Sequence, residues 1–182
     1  GDSFGEGGDS HGFYSGSVPD GTSTQNLTEQ HGSHVAGIIA SDWNGQGTSG
    51  TASNVKLMSL RTDTDTASTV AALNYAKTAV KNGVNLIAVS NSWGFGHTTS
   101  DIINAAVTEL GKLGVVSVFS TGNSGANTDR IISTPSLLAN NPYAVLVNSA
   151  NSFGKKADYS NYGIGTTEVF APGSVILSTG IS

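Results

Sequence analysis

Two histidines stand three residues apart in "EQHGSHVAGIIAS", residues 29 to 41: His31 and His34, around Gly32 and Ser33, at the head of a small apolar run. An imidazole can ligate a metal, move protons near neutral pH, or pack with its ring nitrogens satisfied. On a helix, positions i and i+3 are neighbours, so the pair could share a metal ion. The metalloprotease pattern H-E-x-x-H needs a glutamate where Gly32 stands, however, and no third protein ligand for zinc is evident. His34 lies among Val35, Ala36, Ile38 and Ile39 and reads as a packed residue. His31 follows Glu29 and Gln30 at the helix mouth, with Gly32 leaving the backbone clear, and reads as an accessible general base.

A second candidate is Asn123 in "STGNSG", residues 120 to 125. Asparagine in a glycine-rich turn is common. At the end of a buried strand it is more pointed, because its amide N–H can face a cleft as an oxyanion donor would. "SNSWG", residues 90 to 94, is a comparable strand end: small, polar and closed by glycine, so another chain can approach the backbone. A phosphate site is a poorer reading, since "GNSGAN" does not match G-x-G-x-x-G and no helix starts directly after it.

These groups need elements to hold them. "VKLMSLR" (55–61) predicts a strand. In "TASTVAALNYAKTAVKNG" Val70, Leu73, Ala76 and Val80 recur at helical spacing, and Gly83 stands where the helix should stop. "VNLIAVSNS" (84–92) predicts a buried strand. "SDIINAAVTELGKLG" predicts a helix with Ser100 as N-cap and Ile103, Ala106, Val107 and Leu110 on one stripe. "VVSVFSTGNSG", "YAVLVNSA" (143–150) and "EVFAPG" predict three more strands, whereas residues 1 to 30 lack periodicity and read as loop. Strands and helices that alternate, with strands apolar on both faces, mean an α/β fold with a parallel sheet covered by helices. In such sheets, functional groups collect at the carboxyl ends of the strands.

Composition narrows the classes. At 182 residues and 37% hydrophobic, the chain suits one compact domain with a real core. A net charge of −5 gives no footprint for nucleic acid. The absence of cysteine excludes disulfides, thiolate ligands and a cysteine nucleophile. No apolar run is long enough for a membrane span, none reads as a signal peptide, and the start at Gly1-Asp2 without methionine is consistent with a processed or trimmed product.

"HGSHVAGIIAS" resembles the histidine motif H-G-T-H-V-A-G of the subtilisin-like serine proteases, with Ser33 in place of threonine. "NLIAVSNSWG" resembles that family's strand leading into S-x-G, "VVSVFSTGNSG" its strand ending in A-A-G-N, and "ADYSNYG" and "VFAPG" its later A-x-F-S-x-x-G and A-P-G segments. The match runs in order over residues 29 to 179. The resemblance implies a three-layer subtilisin-like fold, with a mainly parallel sheet and helices on both faces, forming one peptidase domain over 1–182 that is incomplete in this chain. It implies a serine endopeptidase with His31 as general base, His34 as a structural residue and Asn123 as oxyanion donor. Ser92, Trp93 and Gly94 would line the substrate cleft, where a peptide adds as a strand, and Ser120, Thr121 and Gly122 would wall the pocket before the scissile bond.

Two parts of the pattern depart. The nucleophile motif G-T-S-M-A should follow A-P-G, and the chain ends at Ser182 before reaching it, so by itself the chain is expected to be inactive. "GTSGTA" (47–52) has similar letters in the wrong place, with no helix expected after Ser49. For the triad aspartate, "GDSFG" offers Asp2, with Phe4 where glycine is expected; the alternative is that the aspartate lies outside this chain. Asp9, Asp20 and His11 fit worse, because no strand is expected before the first, the second reads as a turn, and no apolar helix is expected after the third. The resemblance implies no cofactor beyond a structural calcium ion near Asn44 to Gly47, where a solvated turn is the other reading. It implies a polypeptide substrate, a complementing chain or homodimer over the missing strands, no nucleic-acid or membrane partner, and a secreted, extracellular or cell-envelope location. The competing functions are a non-catalytic peptide-binding pseudoprotease and, less well matched, a nucleotide-binding doubly wound domain.

Overall fold

The computed structural model describes residues 27–52, 54–62, 65–94, 101–131 and 136–179, with the side chains of 27–30 outside the description. The chain forms two compact units, one of residues 1–61 with 175–182 and one of residues 62–174.

In the first unit, helix α1 spans Leu27–Ala40. The last carbonyls of a helix have no partner within it. Here Ile38 and Ile39 receive theirs from the amides of Thr51 and Ala52 at 2.8 and 2.9 Å, so the loop after α1 folds back as its cap. Trp43 Nε1 donates to the Gly50 carbonyl and closes that loop. Gly50 is required there, since a Cβ would lie 2.5 Å from the Ser41 nitrogen. Residues 176–179 lie along α1 at Ser33, His34 and Gly37. His34 Nε2 donates to the Ile176 carbonyl at 3.2 Å, and the hydroxyls of Ser178 and Thr179 donate to the carbonyls of His34 and Ser33. A Cβ at Gly37 would collide with the hydroxyls of Ser178 and Thr179, so a small residue sets this close approach.

The second unit holds the sheet. Four parallel strands, β1 (Ala88–Asn91), β2 (Val116–Ser120), β3 (Ala144–Ala150) and β4 (Val169–Pro172), lie in sequential order. Helix α2 (Thr66–Lys81) precedes β1, and α3 (Asp101–Gly111) crosses from β1 to β2. Asp65 caps α2, accepting from the Ala67 and Ser68 amides and the Ser68 hydroxyl. Gly83, at φ +93°, ends the same helix where its position predicts. Of the stripe on α3, Ile103, Val107 and Leu110 are fully buried and Ala106 is half-buried. The two helices pack on each other and α3 on β2, over a core that includes Phe119, Leu138 and Leu146.

The expected strand over 55–61 is not formed; no residue of it joins a ladder among the described residues. A strand exists only by pairing, and the strands that pair among the described residues are four others, within residues 88–172. The strand expected to be buried over 84–92 is shorter, because Leu86 N–H turns back to the Val84 carbonyl and the ladder begins only at Ala88, and it is not buried: Ile87, Ala88 and Ser90 are exposed. Nor is β4 buried on both faces: Phe170 is 52% and Val169 45% exposed. The N-cap expected at Ser100 lies outside the described residues.

Phe119 is 1% exposed and meets Trp93 edge-to-face at 5.6 Å between ring centroids. Truncation leaves a cavity as well as losing transfer free energy, so Phe119→Ala should lower unfolding free energy by about 3–5 kcal/mol in a denaturant titration. A loss below about 1 kcal/mol would contradict its place in the core. Asp129 gives a pH-dependent contribution. Its carboxylate accepts from the amides of Ile164 (2.8 Å) and Gly165 (3.0 Å) and the Thr166 hydroxyl (2.8 Å). The Ile164 amide, then the Thr166 hydroxyl, hold its pKa below the ordinary 3.8. A carboxyl whose pKa is lowered by folding stabilises above its unfolded pKa, and that contribution is lost as pH falls through the folded value. The melting temperature of Asp129→Asn should therefore lie below wild type at neutral pH and converge on it in acid; a gap that persists in strong acid would contradict this.

Candidate active site

The register of the sheet brings two of the sequence candidates side by side. Asn91, the last residue of β1, is the partner of Phe119. Ser92, Trp93 and Gly94 therefore continue from β1 next to Ser120, Thr121 and Gly122 at the end of β2. Both segments leave the carboxyl edge of a parallel sheet, where the fold allows a site. The Trp93 ring rests against Phe119, which anchors the first segment.

The second segment is held from two directions. Thr121 is buried; its hydroxyl donates to Asn148 Oδ1 at 2.5 Å, and its amide to the Val147 carbonyl at 3.2 Å. Asn148, also buried, passes the connection on through Nδ2 to the Thr167 hydroxyl at 2.9 Å. Beyond Thr121 the chain turns sharply. Gly122 sits at φ +101°, a conformation glycine adopts without the steric cost other residues bear. Asn123 follows, exposed, and no hydrogen bond to its side chain occurs among the described residues. Its amide is thus presented outward from a turn whose own backbone is fixed.

That fixing comes from Asn161, within "ADYSNYG". Its Nδ2 donates to the Thr121 carbonyl at 2.7 Å. Its Oδ1 accepts from the Ser124 amide (3.0 Å), the Ser124 hydroxyl (2.9 Å) and the Ala126 amide (2.9 Å). The Asn161 amide donates to the Gly122 carbonyl at 3.0 Å, and the Gly125 amide to the Tyr159 carbonyl at 2.8 Å. Sequence reasoning assigned Asn148 and Asn161 no role. Asn161 acts on residues some forty positions away, so no local spacing signals it; only its place in a polar, glycine-rich segment hinted at one.

The remaining candidates lie in the other unit or outside the described residues. His31 is on α1 and exposed, consistent with an accessible imidazole, whereas His34 is half-buried and hydrogen-bonded to Ile176. Ser49 is exposed in the loop after α1, and no helix follows it in the described residues before α2. Asn44 Oδ1 accepts from the Gln46 amide in a tight, exposed turn. Asp2, Asp9, Asp20 and His11 fall outside the described residues. No group of three histidine, cysteine or carboxylate side chains is placed to hold a metal among the described residues.

Comparison with known proteins gives this arrangement its context. The chain is 32% identical over 170 residues to the subtilisin-like serine protease AsES of Sarocladium strictum, a match that spans 92% of this chain and 40% of that one. It is 30% identical over 164 residues to subtilisin E of Bacillus subtilis, covering 89% of this chain and 42% of the relative. Among solved structures, sphericase superposes with a TM-score of 0.70 at 28% identity, over 83% of this chain and 55% of that one. A cold-adapted subtilisin-like serine proteinase superposes at 0.67 and 27% identity, over 82% and 51%. The chain thus spans about two-fifths of the length of these curated relatives. The fold is the α/β fold of subtilisin-like proteases, and the family model for subtilases, peptidase family S8, matches residues 6–181. The chain belongs to the subtilase family of serine peptidases.

Proposed function

We propose that the intact protein is a subtilisin-type serine endopeptidase and that this chain supplies its base, its oxyanion donor and much of its substrate cleft. The observation that carries the reading is the outward-facing Asn123 on a clamped turn at the carboxyl edge of the sheet, next to Ser92–Gly94, in a chain that belongs to the subtilase family.

In this mechanism a peptide lies along Ser92, Trp93 and Gly94 as an added strand. The residue before the scissile bond enters a pocket walled by Ser120, Thr121 and Gly122. A serine supplied by sequence following residue 182 in the intact protein attacks the scissile carbonyl carbon, and His31 takes the hydroxyl proton. The carbonyl oxygen becomes an oxyanion and accepts a hydrogen bond from Asn123 Nδ2. His31 then passes its proton to the leaving amine, and water hydrolyses the acyl-enzyme by the same steps. Asp2, or an aspartate outside this chain, orients the imidazole. No cofactor takes part, and a calcium ion near Asn44 to Gly47 would act structurally. The sequence beyond this chain, a complementing chain or a second copy would cover the exposed Val169 and Phe170 of β4. An extracellular location fits relatives such as the extracellular protease of Xanthomonas campestris.

The second reading, a peptide-binding protein without a nucleophile, keeps the same cleft and fails the same experiment differently. A serine-reactive fluorophosphonate should label the intact protein, and His31→Ala should abolish labelling; labelling undiminished by that substitution would refute the base assignment. No labelling of the folded intact protein, with peptide binding retained, would favour the second reading. In the active protein Asn123→Ala should lower kcat about 10²–10³-fold with little change in KM, a magnitude carried over from subtilisin itself, where loss of one oxyanion donor costs this much. An unchanged kcat would exclude Asn123 from that role.

A further inference from the structure

We propose that Asn161 is a positioning residue, whose side-chain amide fixes the turn that carries Asn123 and so the direction in which Asn123 is presented. The inference rests on the reading of Asn123 as oxyanion donor and extends it to a residue in a separate segment of the chain.

The contacts are too specific for a filler. Asn161 is 8% exposed, and an amide desolvated to that degree must satisfy its oxygen and nitrogen within the protein. Both do so on one short stretch of main chain. Nδ2 donates to the carbonyl of Thr121, two residues before Asn123. Oδ1 collects the amides of Ser124 and Ala126, one and three residues after it, together with the Ser124 hydroxyl. The orientation of the amide follows from its partners: turned over, its NH₂ would face two N–H groups and its oxygen a carbonyl. The main chain repeats the restraint, since Asn161 N–H donates to the carbonyl of Gly122.

The neighbouring glycine is shaped to this contact. A Cβ on Gly122 would stand 2.6 Å from Asn161 Nδ2, and its φ of +101° suits glycine alone. The turn around Asn123 is therefore bound on both flanks while the Asn123 side chain itself is left outside the network. An oxyanion donor needs that division: a backbone that does not move, carrying an amide not engaged elsewhere.

Asn161→Asp tests the idea with almost no change of volume. The carboxylate can still accept from Ser124 and Ala126 but cannot donate, and it sets a charged oxygen against the Thr121 carbonyl. Asn161→Ala removes the whole clamp. In the intact protein both variants should melt cooperatively and lower kcat about 10- to 100-fold, as expected when a donor is misplaced; Asn161→Ala should also lose hydrogen-exchange protection at Ser124 and Ala126, whose amides it no longer accepts from, and KM should rise as well, because Thr121 and Gly122 also wall the pocket. The double variant Asn161→Ala with Asn123→Ala should be little slower than Asn123→Ala alone, because a residue that acts through Asn123 has nothing left to position. Additive losses in that cycle, or lost protection with kcat unchanged, would overturn the proposal. If Asn123→Ala alone leaves kcat unchanged, the oxyanion reading is what has failed; the clamp then stands or falls on exchange protection at Ser124 and Ala126, which should drop in Asn161→Ala.

Discussion

A side-chain amide taken out of water has to find donors and acceptors in the protein, and in this chain the buried Asn161 finds them all on one turn. The rest of the site follows from that constraint. Because Asn161 grips residues 121 to 126, the end of β2 can break out of the sheet into a glycine turn without becoming loose. Thr121, held in turn by Asn148, marks where the strand stops, and Gly122 provides the backbone conformation the turn requires. The exposed Asn123 is what this arrangement leaves over.

The parallel register does the complementary work. Pairing of Asn91 with Phe119 makes the two strand ends finish level, so the segment after β1 and the turn after β2 share one edge. The edge-to-face contact of Trp93 with Phe119 ties that edge to the core. The aromatic contact at Phe119 and the polar clamp beginning at Thr121 therefore act side by side at the end of β2: the clamp fixes where the chain leaves the sheet, the aromatic contact what lies beside it. In the first unit the same logic recurs at smaller scale. The close approach of residues 178 and 179 to α1 at Gly37 gives His34 a carbonyl partner and leaves His31 exposed.

Much of this was legible in the sequence wherever the signal is local. Gly83 ends α2, the stripe on α3 is buried, and β2 and β3 lie where continuous apolar runs predict them, because helix periodicity, glycine at a positive φ and strand hydrophobicity are properties of neighbouring residues. The greater exposure of His31 relative to His34, which is half-buried and bonded to the Ile176 carbonyl, was readable for the same reason. What could not be read depends on partners distant in the chain. Residues 55 to 61 have strand composition but no ladder among the described residues, since composition cannot supply a neighbour. Asn161 and Asn148 look like ordinary polar residues until the fold sets one against Thr121 and Ser124 and the other against Thr121 and Thr167. The exposure of Val169 and Phe170 likewise reflects what lies beside β4 rather than anything in "EVFAPG" itself.

The central claim is that Asn123 stabilises the charge that develops when a serine attacks a peptide carbonyl. The most direct measurement is a crystal structure of the intact protein inactivated by a peptidyl phosphonate, whose phosphoryl oxygen stands in for the oxyanion. The expected structure has a serine-bound phosphorus with that oxygen about 2.7–3.1 Å from Asn123 Nδ2, His31 beside the serine oxygen, and the peptide running along Ser92 to Gly94. An adduct whose oxygen points away from Asn123, or a modified residue remote from His31, would contradict it.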